Sequence, residues 1–225
     1  MNAADMIRLV ARKSPRLIWT NITDRILFDL TNGVDTIRQT PKSGFPEALQ
    51  NLQHGLHYSS SWTGEIRFGF EMARARLGAE FERYTFVDLG CGKGKVQIVW
   101  EKLLQRHRLR QPVFGLDYYD ALLVVAQANH RKVLGRDGHF ICADACAFDY
   151  ATLSRRLIVY LYNPFDAVVL QGVVDALSDS EVLLIYNNPV HADVLLANGY
   201  QVLKDKPGFH PQAHTTVFER RPFEG

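Results

Sequence analysis

The sequence predicts an α/β fold: a doubly wound, mostly parallel sheet of seven strands with an antiparallel edge hairpin and an N-terminal helical cap. Three observations carry that prediction. Short apolar runs rich in β-branched residues alternate with helix-period stretches from Tyr84 to Ala197, the pattern of successive βαβ units with right-handed crossovers. The first of these runs, Tyr84 to Leu89, reads as a buried parallel strand and turns through Gly90, Gly92 and Gly94 into a helical pattern. The first quarter of the chain, by contrast, shows no strand pattern and no repeat, so it reads as an addition to a different kind of domain.

The 225 residues are 47% hydrophobic and 22% charged, which suits one globular domain with an appendage. We divide the chain into a cap and lid over 1–62 and the sheet domain over 63–225. A net charge of +2 demands no nucleic-acid partner. Three cysteines, Cys91, Cys142 and Cys146, are an odd number in a long chain without an evident secretory signal. That usage favours free thiols in a reducing compartment and a cytoplasmic location. No apolar run approaches the roughly 20 residues of a membrane-spanning helix. Cys142 and Cys146 lack partner ligands at zinc spacing, so no metal is expected.

Met1 to Trp19 reads as a basic amphipathic helix interrupted near Pro15. A short helix follows over Asp24 to Leu30, with Thr23 as its cap and Asn32-Gly33 as its stop. Thr40 to Pro46 is a loop, and Glu47 to Gln53 another short helix. Thr63 is placed to cap a helix from Gly64 to Ala79 with Glu65 in its first turn. Strands are expected at Phe86–Leu89, Pro112–Leu116, His139–Cys142, Leu157–Tyr162 and Glu181–Tyr186. Helices are expected at Lys95–His107, Ala121–Val133, Ala167–Leu177 and His191–Ala197. Tyr200–Leu203 and Thr215–Glu219 form the closing hairpin.

The glycine turn is a ligand seat, because glycines let backbone N–H groups approach a ligand at a helix N-terminus. Its order is Asp88-x-Gly90-x-Gly92-x-Gly94, with the third glycine one place too early for a dinucleotide fingerprint. Asp88 at the strand tip would repel a pyrophosphate and hold an ammonium group. The next strand ends at Asp117-Tyr118, an acid for ribose hydroxyls and a ring for adenine. The third runs into Asp144-Ala145, where an adenine amino group needs an acceptor. These strand tips describe a ligand with an amino-acid head and a nucleoside but no phosphate.

With those residues in view, Phe86-Val87-Asp88-Leu89-Gly90-Cys91-Gly92-Lys93-Gly94 resembles the first motif of the class I methyltransferases, and the resemblance runs from about Thr63 to Glu219. It implies a Rossmann-like fold and S-adenosylmethionine as cofactor. By that likeness Asp88, Gly90, Cys91, Gly92 and Gly94 surround the methionine part, Asp117 and Tyr118 the ribose and adenine, and Asp144 with Ala145 the adenine. The fourth strand ends in Asn163-Pro164-Phe165, where an Asn carbonyl on a proline-stiffened turn offers an acceptor to an N–H nucleophile. This resembles the Asn/Asp-Pro-Pro-Phe/Tyr motif of amino-methyltransferases with one proline missing, and is closer to small bacterial methyltransferases that carry Asn-Pro-Phe. The set Asn163, Pro164 and Phe165 is therefore the catalytic candidate, with Asn163 also beside the cofactor.

Thr63-Gly64-Glu65 is similar to the opening of the corresponding helix in non-SET histone-lysine methyltransferases, which implies a cofactor contact for Glu65. Tyr58 and Trp62 are candidates for a lid over the cofactor or for substrate contact. The expected reaction is methyl transfer to nitrogen, or less favourably oxygen, of a small molecule or peptide. The alternatives are a protein lysine methyltransferase and a cofactor-binding module without catalysis. The acceptor and the oligomeric state have no signal in the sequence.

Overall fold

The computed structural model describes residues 15–37, 60–162 and 164–220. The expected helix at Glu47 to Gln53, the loop at Thr40 to Pro46, Tyr58, Asn163 and the start of the basic helix lie outside the described residues. A single sheet has seven strands: β1 Thr85–Leu89, β2 Val113–Asp117, β3 His139–Cys142, β4 Arg156–Tyr162, β5 Glu181–Asn187, β6 Gln201–Lys206 and β7 Thr215–Arg220. Their order is β3-β2-β1-β4-β5-β7-β6. All neighbours are parallel except at β7, which runs antiparallel to both β5 and β6. The closing hairpin thus forms, but its second strand lies inside the sheet between β5 and β6.

The helices are α1 Pro15–Asn21, a π-helical segment Ile22–Ile26, α2 Leu27–Asn32, α3 Thr63–Leu77, α4 Lys95–His107, α5 Asp120–Leu134, α6 Ala167–Ala176 and α7 Ala192–Ala197. Gly33 ends α2 in the left-handed conformation, as its sequence position implies. Thr23 does not cap a new helix: it lies within the π segment and its hydroxyl donates to the Trp19 carbonyl (2.9 Å). Thr63 does not cap α3 either. The backbone N–H groups of Thr63 and Gly64 instead donate to the carboxylate of Asp24 on the π segment. A cap reaching across 39 residues leaves no local signature.

Two apolar clusters cover the two faces of the sheet. On one, Phe86, Trp100, Phe70 and Ile185 pack with α3 and α4; Phe86 stacks on Trp100 with ring centroids 3.9 Å apart. Gly69 brings α3 close to β5, because a Cβ there would stand 2.7 Å from Ile185. The other face gathers Val87, Leu89, Leu161, Val169 and Tyr186 beneath α6. Fully burying one such side chain contributes about 2 kcal/mol, so these layers hold the strand tips in place.

The cap is joined to the domain by ionic contacts as well as apolar ones. Lys95 Nζ donates to the Asp24 carbonyl (2.8 Å) and lies over the Phe28 ring. Asn129 on α5 exchanges hydrogen bonds with the Asp35 backbone, its amide donating to the Asp35 carbonyl and its side-chain oxygen accepting the Asp35 N–H. Leu17 on α1 packs against Trp62 and Ala213.

Candidate active site at the strand tips

The sheet reverses its winding between β1 and β4, and the ligand crevice of a doubly wound sheet lies at that switch point beyond the carboxyl ends of the strands. The glycine turn stands there. Gly90, Gly92 and Gly94 all have positive φ (72°, 51° and 79°), a region costly to residues with a Cβ. Gly90 and Cys91 N–H both donate to the Leu116 carbonyl, folding the turn back over β2. A Cβ on Gly90 would stand 2.7 Å from Pro164, so the turn after β1 and the turn after β4 abut.

Asp88 sits beneath this turn, 2% exposed, and its Oδ2 is buried without a hydrogen-bond partner. Burial first and the nearby Asp117 second push its carboxyl well above the usual range, with Gln97 acting in the opposite direction. Space for Gln97 comes from Gly115, the register partner of Asp88: a Cβ there would overlap the Gln97 amide. An unpartnered buried oxygen is costly, and a cationic donor such as an ammonium group relieves that cost. Cys91 in the same pocket is pushed up by burial, Asp117 and Asp88, which keeps its thiol neutral and unsuited to nucleophilic work.

Asp117 ends β2, and its two oxygens accept the N–H groups of Gly92 (2.9 Å) and Tyr119 (3.0 Å). It therefore shapes the turn, with the Tyr118 backbone also acting on its carboxylate. Tyr118 beside it is half-buried. Asp144 is exposed beyond β3 and accepts the Cys146 N–H (2.9 Å), a local turn; Ala145 is buried, its carbonyl accepting from Tyr150 Oη. Pro164 is half-buried at the switch point, whereas Phe165 packs in the core with Leu161 and Val169. A core position gives Phe165 the task of anchoring the turn from below.

Two expected contacts lie elsewhere. Glu65 is 5% exposed, and its carboxylate accepts Lys206 Nζ (2.8 and 2.9 Å) and Thr215 Oγ1 (2.7 Å), binding α3 to β6 and β7. The local sequence shows an acid in a first helical turn and cannot show a lysine 141 residues away. Trp62 is buried between α1 and the β6–β7 loop, stacked on Phe209 at 5.8 Å. Cys142 and Cys146 point to separate carbonyls, those of Tyr118 and Val169. Among the described residues, no three His, Cys, Asp or Glu side chains group as a metal site. No helix there is long and apolar enough to cross a membrane.

Sequence reading missed the lysines of the turn. Lys93 is 3% exposed and pairs with Asp35 (3.0 Å), and Lys95 is 2% exposed at Asp24. Their side chains carry the cap onto the glycine turn. Only their place between and after the glycines hinted at this.

The fold is Rossmann-like, a seven-stranded sheet with one antiparallel strand next to its edge, and it is shared with methyltransferases of known structure. One similar structure is the amino pentose methyltransferase CalS10 from Micromonospora echinaspora, solved with its S-adenosylmethionine bound. It matches at 15% identity and a TM-score of 0.52, over 72% of this chain and 93% of that one. The glycopeptide N-methyltransferase MtfA, complexed with sinefungin, matches at 13% identity and a TM-score of 0.51, over 73% of this chain and 88% of that one. At these identities the likeness is one of fold. No protein-family model and no curated protein sequence matches the chain.

Proposed function

We propose that the chain is an S-adenosylmethionine-dependent methyltransferase acting on a nitrogen, or less favourably an oxygen, of a small molecule or peptide. The observation that carries this reading is Asp88: a buried carboxylate with one oxygen unpartnered, under a three-glycine turn at the switch point of this sheet. The residues fit that cofactor. Asp88 would hold the ammonium group, the Gly90–Gly94 backbone the carboxylate, and Asp117 the ribose hydroxyls, with Tyr118, Asp144 and Ala145 along the adenine. When bound, the cofactor supplies a methyl group already activated on a sulfonium. The chain's own task is then chiefly positional.

Asn163 would accept a hydrogen bond from the nucleophile, and Pro164, braced on Gly90, would stiffen its turn. Glu65 has its hydrogen bonds within the fold, so the cofactor contact expected of it is no part of this reading. Replacing Asn163 by Ala should lower turnover about a hundredfold while cofactor affinity holds, as loss of orientation does. Unchanged turnover would remove Asn163 from that role. The acceptor is assayed by incubating the protein with methyl-labelled cofactor and lysate fractions, and label entering small molecules or peptides is the expected result.

A further inference from the structure

A cavity of about 410 Å³ lies at the carboxyl end of β5, between Asn188–Val190 on one side and the β6–β7 loop with His214 on the other. Its size falls in the range of small-ligand pockets. Asn187 pairs with Tyr162 in the sheet, and the Asn188 N–H donates to the His214 carbonyl (2.7 Å). The cavity therefore begins one strand, about 5 Å, from the end of β4.

Its lining has two properties. Pro189, Val190, Pro207 and Phe209 are apolar, and no Asp, Glu, Lys or Arg lines it among the described residues. No lining carboxylate is there to balance an ammonium. Two histidines belong to the lining and both are held: His210 Nδ1 accepts the Gln212 N–H (3.2 Å), and His214 is held through Nε2. His214 Nε2 lies 2.7 Å from Asp205 Oδ1, while Thr216 Oγ1 donates to the same oxygen (2.6 Å). These two contacts, Thr216 first, hold the Asp205 carboxyl below its usual range. A carboxylate facing Nε2 keeps the proton on that nitrogen and leaves Nδ1 as the acceptor. Among the described residues Nδ1 has no hydrogen-bond partner.

We infer that this cavity receives an uncharged aromatic acceptor bearing a weakly basic N–H or O–H, that His214 takes its proton, and that Asp205 is the positioning residue for His214. The inference rests on the proposed methyl transfer. The acceptor's lone pair forms the bond to the methyl carbon, the carbon–sulfur pair leaves with the sulfur of the sulfonium donor, and the acceptor's proton passes to His214 Nδ1 and on to water. A lysine ammonium is a far weaker acid than an aromatic ammonium, so an aromatic amine bearing a new methyl is the acceptor whose proton a neutral histidine nitrogen can take.

The test is nuclear magnetic resonance on the full chain with ¹⁵N-labelled histidine, titrating aniline, phenol and n-butylammonium separately. His214 is expected as the Nε2–H tautomer. Aniline and phenol should shift His214 and Phe209 saturably and bind at least about tenfold more tightly than n-butylammonium, the cost of an uncompensated charge. Asp205→Asn should move the His214 tautomer balance, which a mere strand-joining contact would not require. An Nδ1–H tautomer, equal binding of n-butylammonium, or no response at His214 to any probe overturns the inference. Calorimetry with S-adenosylmethionine on the same sample reads the cofactor separately, so cofactor binding without a probe response rejects this inference alone.

Discussion

Asp88 and Glu65 are both buried carboxylates near the strand tips, yet they are held in opposite ways. Glu65 has a lysine and a threonine hydroxyl on its oxygens; Asp88 keeps one oxygen with no partner. The first ties a helix to two strands, and the fold uses up its hydrogen-bonding capacity. The second is left open under the glycine turn. The satisfied acid stabilises the fold, and under the proposed function the unsatisfied one is the group that meets the ligand.

Substitutions can break or sharpen that contrast. The largest effect is expected at the turn that separates the two regions. Gly90→Val must adopt a left-handed backbone and displace Pro164, costing about 3 kcal/mol of stability, with a matching fall in Tm. A normal melting curve would show that the turn tolerates a Cβ. Glu65→Gln should cost about 2 kcal/mol, because charge-assisted hydrogen bonds from Lys206 and Thr215 weaken together, while cofactor affinity stays within a few-fold. Chemical denaturation and calorimetry on one preparation check both halves.

Asp88→Asn should do the reverse. Its raised carboxyl means that the fold disfavours ionisation, so the charge lowers stability as pH climbs above the unfolded carboxylate range. Removing the charge should therefore leave Tm equal or higher at neutral pH. Cofactor affinity should drop about 10- to 100-fold, one charge-assisted hydrogen bond. If Asp88→Asn lost stability and kept affinity, the two acids would have the same structural job.

The smallest effect lies outside both regions. His130 is fully buried between Glu101 and the Arg136 carbonyl; burial alone would lower its pKa, but the Glu101 and Arg136 hydrogen bonds outweigh it and the pKa is raised. The stability it contributes is present below the unfolded value near 6.5 and is lost as pH rises through the folded value. The Tm gap between the native chain and His130→Gln should narrow as pH rises above about 6.5; a constant gap would mean that His130 does not titrate there.

What could be read in the sequence follows from the span of each contact. The helix over Lys95–His107 and the strand over His139–Cys142 match their expected ends, and the tips bearing Asp88 and Asp117 were set by local apolar period and glycine spacing. Gly92 and Asp117 are only 25 residues apart in one βαβ unit, so their meeting follows from topology. The caps and edges depend on distant partners. Asp24 supplies the cap of α3, Lys206 takes Glu65, and β7 inserts between β5 and β6. None of these leaves a periodicity, and hairpin strength says nothing about which strand lies on the far side. His214 and Asp205 were equally invisible, since neither belongs to a motif and their pairing needs β6 and β7 in register.

The central claim is that the open carboxylate of Asp88 seats the ammonium group of S-adenosylmethionine. Isothermal calorimetry of the native chain and Asp88→Asn against S-adenosylmethionine, its demethylated product and NAD tests it directly. Saturable binding of the first two, weakened in the variant, with no heat from NAD, is the predicted result. Binding of NAD in place of S-adenosylmethionine, or equal affinity in the variant, would contradict it.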